Sequence, residues 1–503
     1  MKRKLKIFTS AICLIPLISS AQIDSICLQG RFVDTVPEQG GRLEVQVIHP
    51  NAPFERQTMF LRLFTSPIIG GKFKLSVPVE NDWVDVYISW INSAGKEMLL
   101  SGGTSGYTYL MYKRDRPQLL IRRNGGVDFS GVGSEKLSCQ EQINSLGFLP
   151  MGALLRIDDL YNKDNYTAAY SAELLMLKRQ LELKKAILET YRDSIPPEIA
   201  HRIWLDVIGN TFISVLNGLN INSNSGASTS LIAAKAKIID SINKLIPIDT
   251  SQAAILSVNY TSSLLLEERL KLRYQGGDNS IKSIDIPEFY QDISLKYHGE
   301  IKDKLLFLLY LQLSSTMRNS TKHIDSILST MGNNASRNML EEWKSHLTEG
   351  SPAYPFVLPD PAGKFFSLND LKGKIIIADF WFTGCENCIN IPPAMNSVCE
   401  KYKNNKNVVF LSINVDKQKK WWEEGLKEGK YTIRGSIHLS TIGEGMYHPL
   451  LKFYNYNSYP QLLVVDQKGK TVSVSPPDPR RDQGKGLSDL IDNLLIKNSI
   501  SKK

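Results

Sequence analysis

The feature that most restricts the fold lies late in the chain. Ile375-Ile376-Ile377-Ala378-Asp379-Phe380-Trp381 is an almost unbroken apolar run, and Cys385-Glu386-Asn387-Cys388 follows it, with a helical pattern beyond. A strand without polar alternation is covered on both faces, as in the middle of an α/β sheet. Cysteines at the strand-to-helix turn are then chemically placed. A thiolate at a helix N-terminus faces unpaired backbone N–H groups and the positive end of the helix dipole, and both lower its pKa. Cys385 is therefore the expected nucleophile. The i,i+3 spacing sets Cys388 one turn along on the same face, within reach of a disulfide. Cys385 attacks a substrate disulfide, and Cys388 then attacks the mixed disulfide and releases the product.

A Cys-x-x-Cys pair can also be half of a zinc site, which needs a second Cys/His pair at matching spacing. Cys399 has no such partner, and His438 and His448 are dispersed. No metal is expected, and no cofactor beyond the redox-active disulfide Cys385–Cys388. Further strands are expected at 408–414, 461–466 and 471–474, the last two joined by a Lys468-Gly469 turn. Leu487, Leu490, Ile491, Leu494 and Leu495 share one face of a final helix. This order gives a mixed sheet with helices on both faces.

Several dispersed motifs point the same way. They are Phe356 to Asp360 with Gly363 and Ser367-Leu368-Asn369-Asp370, Gly373-Lys374, Asp379-Phe380-Trp381, Pro393 after the cysteines, Asn414-Val415-Asp416, Tyr459-Pro460, and Val465-Asp466 with Gly469. In this order they make residues 352–497 resemble the TlpA/ResA-like branch of the thioredoxin family. The resemblance implies a thioredoxin fold and thiol–disulfide oxidoreductase activity. It implies a cis Pro460 that sets the Tyr459 backbone against the sulfurs, where an extended substrate pairs. It places Pro393 where the family has a helix-kinking proline. It implies that Asp379 is a buried carboxylate with a raised pKa that takes the Cys388 proton. The other reading of Asp379 is a side chain that faces solvent or caps a turn. Trp381, Tyr459, Glu386 and Asn387 are the candidate substrate contacts.

The chain also departs from the family pattern. Gly384 stands where a Trp is usual, which leaves one wall of the groove small. Ile391 lacks the acidic group some members have there. Glu386 disfavours a thiolate and so leans towards a reducing enzyme. Trp421 and Trp422 read as packing residues, and Cys399 as a small core thiol.

The start of the chain reads as an export signal. Lys2, Arg3, Lys4 and Lys6 precede an apolar run over 7–18 and then Ser19-Ser20-Ala21. The run is short for a membrane span. A cleaved signal peptide over 1–21 and a mature chain from near Gln22 are expected, with an uncleaved anchor as the alternative. Bulky Ile12 makes Cys13 a poor lipid-attachment site. The apolar stretch 305–313 has the length of a core helix, so the processed protein is not expected to be an integral membrane protein. The implied location is the periplasm or cell envelope.

Between these ends two further units are expected: a β-rich N-terminal domain over 22–134 and a helical domain over 135–350, before the thioredoxin-like domain at 351–503. Alternation at Leu43, Val45 and Val47, and at Phe73, Leu75, Val77 and Val79, suggests an antiparallel β-sandwich or barrel. Leu174, Leu177, Leu181 and Leu188 recur at helical spacing in an all-α middle region, with further helices near 197–216, 231–245, 252–274, 301–315 and 321–347. This order resembles a multidomain layout of exported bacterial proteins, with 127–131 (VDFSG) like the tail of its N-terminal module. No catalytic constellation shows in 22–350; a scaffold for the redox site and a partner-recognition module both remain open there.

The 503 residues carry a net charge of +9, but four of the basic residues belong to the expected signal and no basic stripe forms. Nucleic acid is therefore not an expected partner. Of six cysteines, Cys27 and Cys139 flank the β-rich unit, and their pairing is open. The expected function is a periplasmic oxidoreductase that exchanges its dithiol with disulfide-containing envelope proteins and is re-reduced by a membrane electron-relay protein. One alternative is a thiol peroxidase. Peroxiredoxins carry a Thr three residues before their cysteine, where this chain has Phe382. Another is an envelope binding or assembly module whose redox pair is secondary.

Overall fold

The computed structural model describes residues 24–33, 41–49, 61–93, 96–100, 108–122, 125–146, 151–220, 228–274, 285–312 and 321–500. The expected signal peptide and its cleavage point lie outside these residues.

Nine strands come first: β1 (Ser25–Phe32), β2 (Arg42–Ile48), β3 (Leu61–Pro67), β4 (Lys72–Pro78), β5 (Trp83–Ile91), β6 (Glu97–Leu99), β7 (Tyr109–Tyr112), β8 (Arg116–Ile121) and β9 (Val127–Val132). They form one sheet in the order β4-β1-β8-β9 and a second in the order β3-β2-β5-β6, with β7 also paired to β5. Strand β4 shows why: Phe73, Leu75 and Val77 are buried while Lys72, Lys74 and Ser76 are exposed, the alternation of a half-covered sheet. Leu28, Leu75 and Leu119 of one sheet share a core with Val45, Val86 and Ile88 of the other. The expectation of purely antiparallel strands needs correction, because β1 and β8 run parallel, from Gln29 beside Gln118 to Phe32 beside Ile121. Strand β8 joins that edge only after the chain has built the second sheet, and so long a crossover permits a parallel arrival.

From Ser134 to Leu347 the described residues form helices with no strand among them. In Tyr166–Thr190 the buried stripe includes Leu177, Leu181 and Leu188. In Gly299–Gln312 every residue from Leu305 to Leu311 is buried, and no helix among the described residues is long and apolar enough to cross a membrane. Two helices expected as continuous are broken. Ser257 separates Gln252–Leu256 from Val258–Tyr274; its hydroxyl accepts the Tyr260 N–H at 3.0 Å and so caps the second segment. Asn334 does the same for Ala335–Leu347, accepting the Arg337 N–H at 3.1 Å.

The C-terminal part begins with a hairpin of β10 (Val357–Pro359) and β11 (Phe365–Ser367). It continues with β12 (Ile375–Trp381), β13 (Val408–Asn414), β14 (Ile437–Ser440), β15 (Gln461–Val465) and β16 (Thr471–Ser473), in the sheet order β14-β13-β12-β15-β16. Strands β12, β13 and β14 are parallel, and β15 and β16 antiparallel to their neighbours. This is a thioredoxin fold. The sequence pattern had not marked β14. All seven residues of central β12 are buried. One face packs on the helices Ile391–Tyr402 and Lys485–Ile500, where Ile375 and Ile377 meet Met395, Val398, Leu487 and Ile491. On the other face Ile376, Ala378, Phe380 and Leu411 belong to the same core as the helical region.

Candidate active site

Strand β12 delivers the chain to the site. After Trp381 a short loop, Phe382-Thr383-Gly384, leads to Cys385. Cys388 opens a 3-10 turn, Cys388–Asn390, which runs into the helix Ile391–Tyr402. Pro392 and Pro393 occupy that helix's first turn, where a missing N–H costs little. They mark the junction of the 3-10 turn with the α-helix, so Pro393 is not a kink within a helix that starts at the cysteines.

Cys385 and Cys388 are joined as a disulfide, with their Cα atoms 5.3 Å apart. The Cys388 N–H donates to Cys385 Sγ at 3.2 Å and to the Cys385 carbonyl at 3.1 Å. The two cysteines differ in access: Cys385 is 5% exposed and Cys388 is 0% exposed. Both are buried, so the pair lies more deeply than an open helix start implies, and only Cys385 retains any exposure.

The surroundings are aromatic. Trp381, Trp422 and Tyr431 pack with both cysteines, and Phe382, Ile389, Leu426 and Tyr459 lie partly buried against them. Trp381 stacks on Tyr431 with ring centres 5.1 Å apart and planes 2° from parallel. Trp381 is wholly buried. That corrects its assignment as a substrate contact, because it supports the pair from behind. Glu386 and Asn387 are exposed beside the pair. The Tyr459-Pro460 bond is cis, and the Tyr459 ring packs edge-on against Phe382 at 5.8 Å.

Two side chains hold the redox loop, and neither was marked as a site residue from sequence. The Tyr431 hydroxyl accepts the Gly384 N–H at 2.9 Å. Asp416 Oδ2 accepts the Thr383 N–H at 3.0 Å, the Thr383 hydroxyl at 2.8 Å and the Asn414 amide at 2.8 Å. Asp416 stood in a recognisable motif, but no role was assigned to it there. Tyr431 belongs to no motif, and only the folded chain brings it to the loop.

Asp379 is 0% exposed, and neither carboxylate oxygen has a hydrogen-bond partner. The reading of a solvent-facing or turn-capping Asp therefore fails. Burial pushes its carboxyl well above the usual range, and the nearby charge of Arg480 only partly opposes this. Cys399 is a buried free thiol whose pKa burial pushes up to about 11. Cys27 and Cys139 are likewise free. Burial pushes the Cys139 thiol up to about 12, which suits an inert core residue. Trp422 packs as expected, but Trp421 is exposed. Among the described residues no group of three or more His, Cys, Asp or Glu side chains is set to hold a metal.

Comparison with known proteins agrees with this geometry. Residues 373–471 match a family model described as thioredoxin-like. The thiol-disulfide oxidoreductase ResA of Bacillus subtilis is 31% identical over 131 residues, which are 26% of this chain and 69% of that protein. The protein of the same name from Geobacillus kaustophilus is 28% identical over 148 residues, 29% of this chain and 80% of that protein. Among solved structures, the thioredoxin domain of a thiol-disulfide oxidoreductase from Bacteroides vulgatus is 25% identical with a TM-score of 0.25, covering 29% of this chain and 96% of that one.

Proposed function

The chain belongs, through its C-terminal domain, to the thioredoxin-like thiol–disulfide oxidoreductases, and from that premise we propose that it reduces disulfides of exported proteins in the cell envelope with the Cys385–Cys388 dithiol. The observation that carries the reading is the disulfide-bonded pair at the end of β12, both sulfurs buried among aromatic side chains but only Cys385 keeping a trace of exposure, 5% against 0% for Cys388. The Cys385 thiolate attacks one sulfur of the substrate disulfide. That bond breaks, a mixed disulfide forms, and the departing substrate thiolate takes up a proton. Cys388 gives its proton to the carboxylate of Asp379 and attacks Cys385 Sγ. The Cys385–Cys388 bond forms as the bond from Cys385 to the substrate sulfur breaks, and the second substrate thiolate leaves and takes the proton back from Asp379. Two electrons and the Cys388 proton pass from the protein to the substrate, and the proton on the first substrate thiol comes from water.

The redox group is the cystine itself, with no further cofactor. Re-reduction requires a dithiol donor, which we assign to a membrane electron-relay protein. The exposed Glu386 supports the reducing direction, since a negative charge between the cysteines disfavours the thiolate that an oxidant stabilises. The basic and apolar start of the chain supports export. Tyr459 and Asn387 flank the pair as substrate contacts, and cis Pro460 holds the Tyr459 backbone for an extended substrate.

The test is a trap. A Cys388→Ala chain cannot resolve its mixed disulfides, so envelope proteins are expected to accumulate on Cys385 and to be released by dithiothreitol. A Cys385→Ala/Cys388→Ala chain captures none. Failure of the single variant to capture any protein, together with consumption of peroxide by the purified wild type, would favour a thiol peroxidase.

A further inference from the structure

The groove around the cystine lacks one wall. Gly384, directly before the attacking cysteine, has open space where a side chain would stand: a Cβ there meets no atom within 4 Å. The helix Lys419–Glu428 lies against the same loop. The Thr383 hydroxyl donates to the Trp421 carbonyl at 2.8 Å. One turn on, a Cβ at Gly425 would fall 2.6 Å from that hydroxyl and 2.7 Å from the Trp381 ring, so the helix backbone lies directly against the Thr383 and Trp381 side chains. Of the two adjacent tryptophans, Trp422 is 1% exposed and packs with both cysteines, whereas Trp421 is 47% exposed.

We propose that Trp421 is a specificity-determining residue of the redox groove, gripping an apolar side chain that flanks the cysteine of an extended substrate segment. The inference rests on the disulfide-exchange reading and supplies its substrate class. Phe382, Ile389, Leu426 and Tyr459 already form an apolar surround to the cystine, and Trp421 stands exposed on the helix whose backbone meets Thr383, two residues before Cys385. The charges on the outer face of the helix offer little net steering, because Lys419 pairs with Glu423 at 3.3 Å and Lys420 with Glu424 at 3.8 Å. Discrimination at this rim therefore comes from apolar contact. Covering the exposed part of an indole with a Leu or Phe side chain is worth about tenfold in affinity.

The full chain is tested on two disulfide-bridged peptides of equal length, one with Phe and one with Ser beside the attacked cysteine. Wild type is expected to favour the Phe peptide about tenfold in kcat/KM, mainly through KM. In Trp421→Ala that ratio falls to near one, and in Trp421→Phe most of it returns. Thermal melts confirm that both variants fold. A wild type that reduces both peptides without preference, or a Trp421→Ala chain that keeps the preference, overturns the inference while the exchange reading stands. A wild type that reduces neither peptide overturns both.

Discussion

A carboxyl group sealed from water with no hydrogen-bond partner is stable in the protonated form, and that preference links Asp379 to pH. In the unfolded chain the group ionises near pH 4. In the folded chain it holds its proton to a higher pH, since burial raises its pKa. The folded state thus binds more protons through this window, and its stability falls as pH rises from the ordinary carboxylate range to the folded pKa. An Asp379→Asn chain lacks this slope. It should gain on wild type by about 1.4 kcal/mol for each pH unit across the window, which denaturant unfolding at a series of pH values measures. The same variant lacks the proton acceptor proposed above, so resolution of the mixed disulfide should slow about a hundredfold above the folded pKa of Asp379, where wild type holds a carboxylate, as stopped-flow kinetics would record. Tyr431 acts by position instead. Tyr431→Phe keeps the stacking on Trp381 but removes the acceptor of the Gly384 N–H. The expected loss is about 1 kcal/mol of stability, with slower attack by Cys385 in a single-turnover assay.

At the level of elements, the redox loop depends on the close approach of one helix. Alanine at an exposed helical glycine gains about 1 kcal/mol. At Gly425 the added Cβ would sit 2.7 and 2.9 Å from atoms of the Trp381 ring, and that ring is held by its stacking on Tyr431. Overpacking of this kind costs about 1–3 kcal/mol, so Gly425→Ala should lower the melting temperature and slow exchange with any disulfide. The long strand β12, the leucine stripe of Tyr166–Thr190 and the buried helix Gly299–Gln312 were legible because apolar periodicity is a local property. The break at Ser257 was not. Its hydroxyl also donates to Asp206 at 2.5 Å, a contact from another helix that no local pattern records.

Across the whole molecule, the β-sheets, the helical region and the redox domain share buried contacts. Arg202, on the helix Pro197–Leu219, donates to Asp85 of β5 at 2.7 Å and to the Leu256 carbonyl at 3.0 Å, and also pairs with Asp206. All three charged groups are largely shielded from solvent, and burial pushes both carboxyls upward against the pull of Arg202. Removing one partner of such a cluster leaves charge without compensation, at about 3–5 kcal/mol. Arg202→Met should therefore destabilise the junction of the β-sheets with the helices by that amount, read as a lower midpoint in denaturant unfolding. The redox domain is tied in separately, by Lys452 donating to the Leu61 carbonyl at 2.6 Å and by Lys417 beside Glu44 at 3.6 Å. Lys417 follows Asp416, which holds the redox loop, so the front of the molecule reaches the corner next to the site.

The chain's local order determined the strand–turn–helix that carries Cys385 and Cys388, the motif with Pro460, and the alternation of helical and strand periodicities. Each follows from residues close together in sequence, whose side-chain direction is set by backbone period. Folding alone decided the rest: that β8 lies parallel to β1, that Trp381 is sealed behind the sulfurs, that Asp379 has no partner, and that Tyr431 and Asp416 grip the loop. These depend on which distant surfaces meet, and burial and hydrogen bonding between distant segments have no signature in a local pattern.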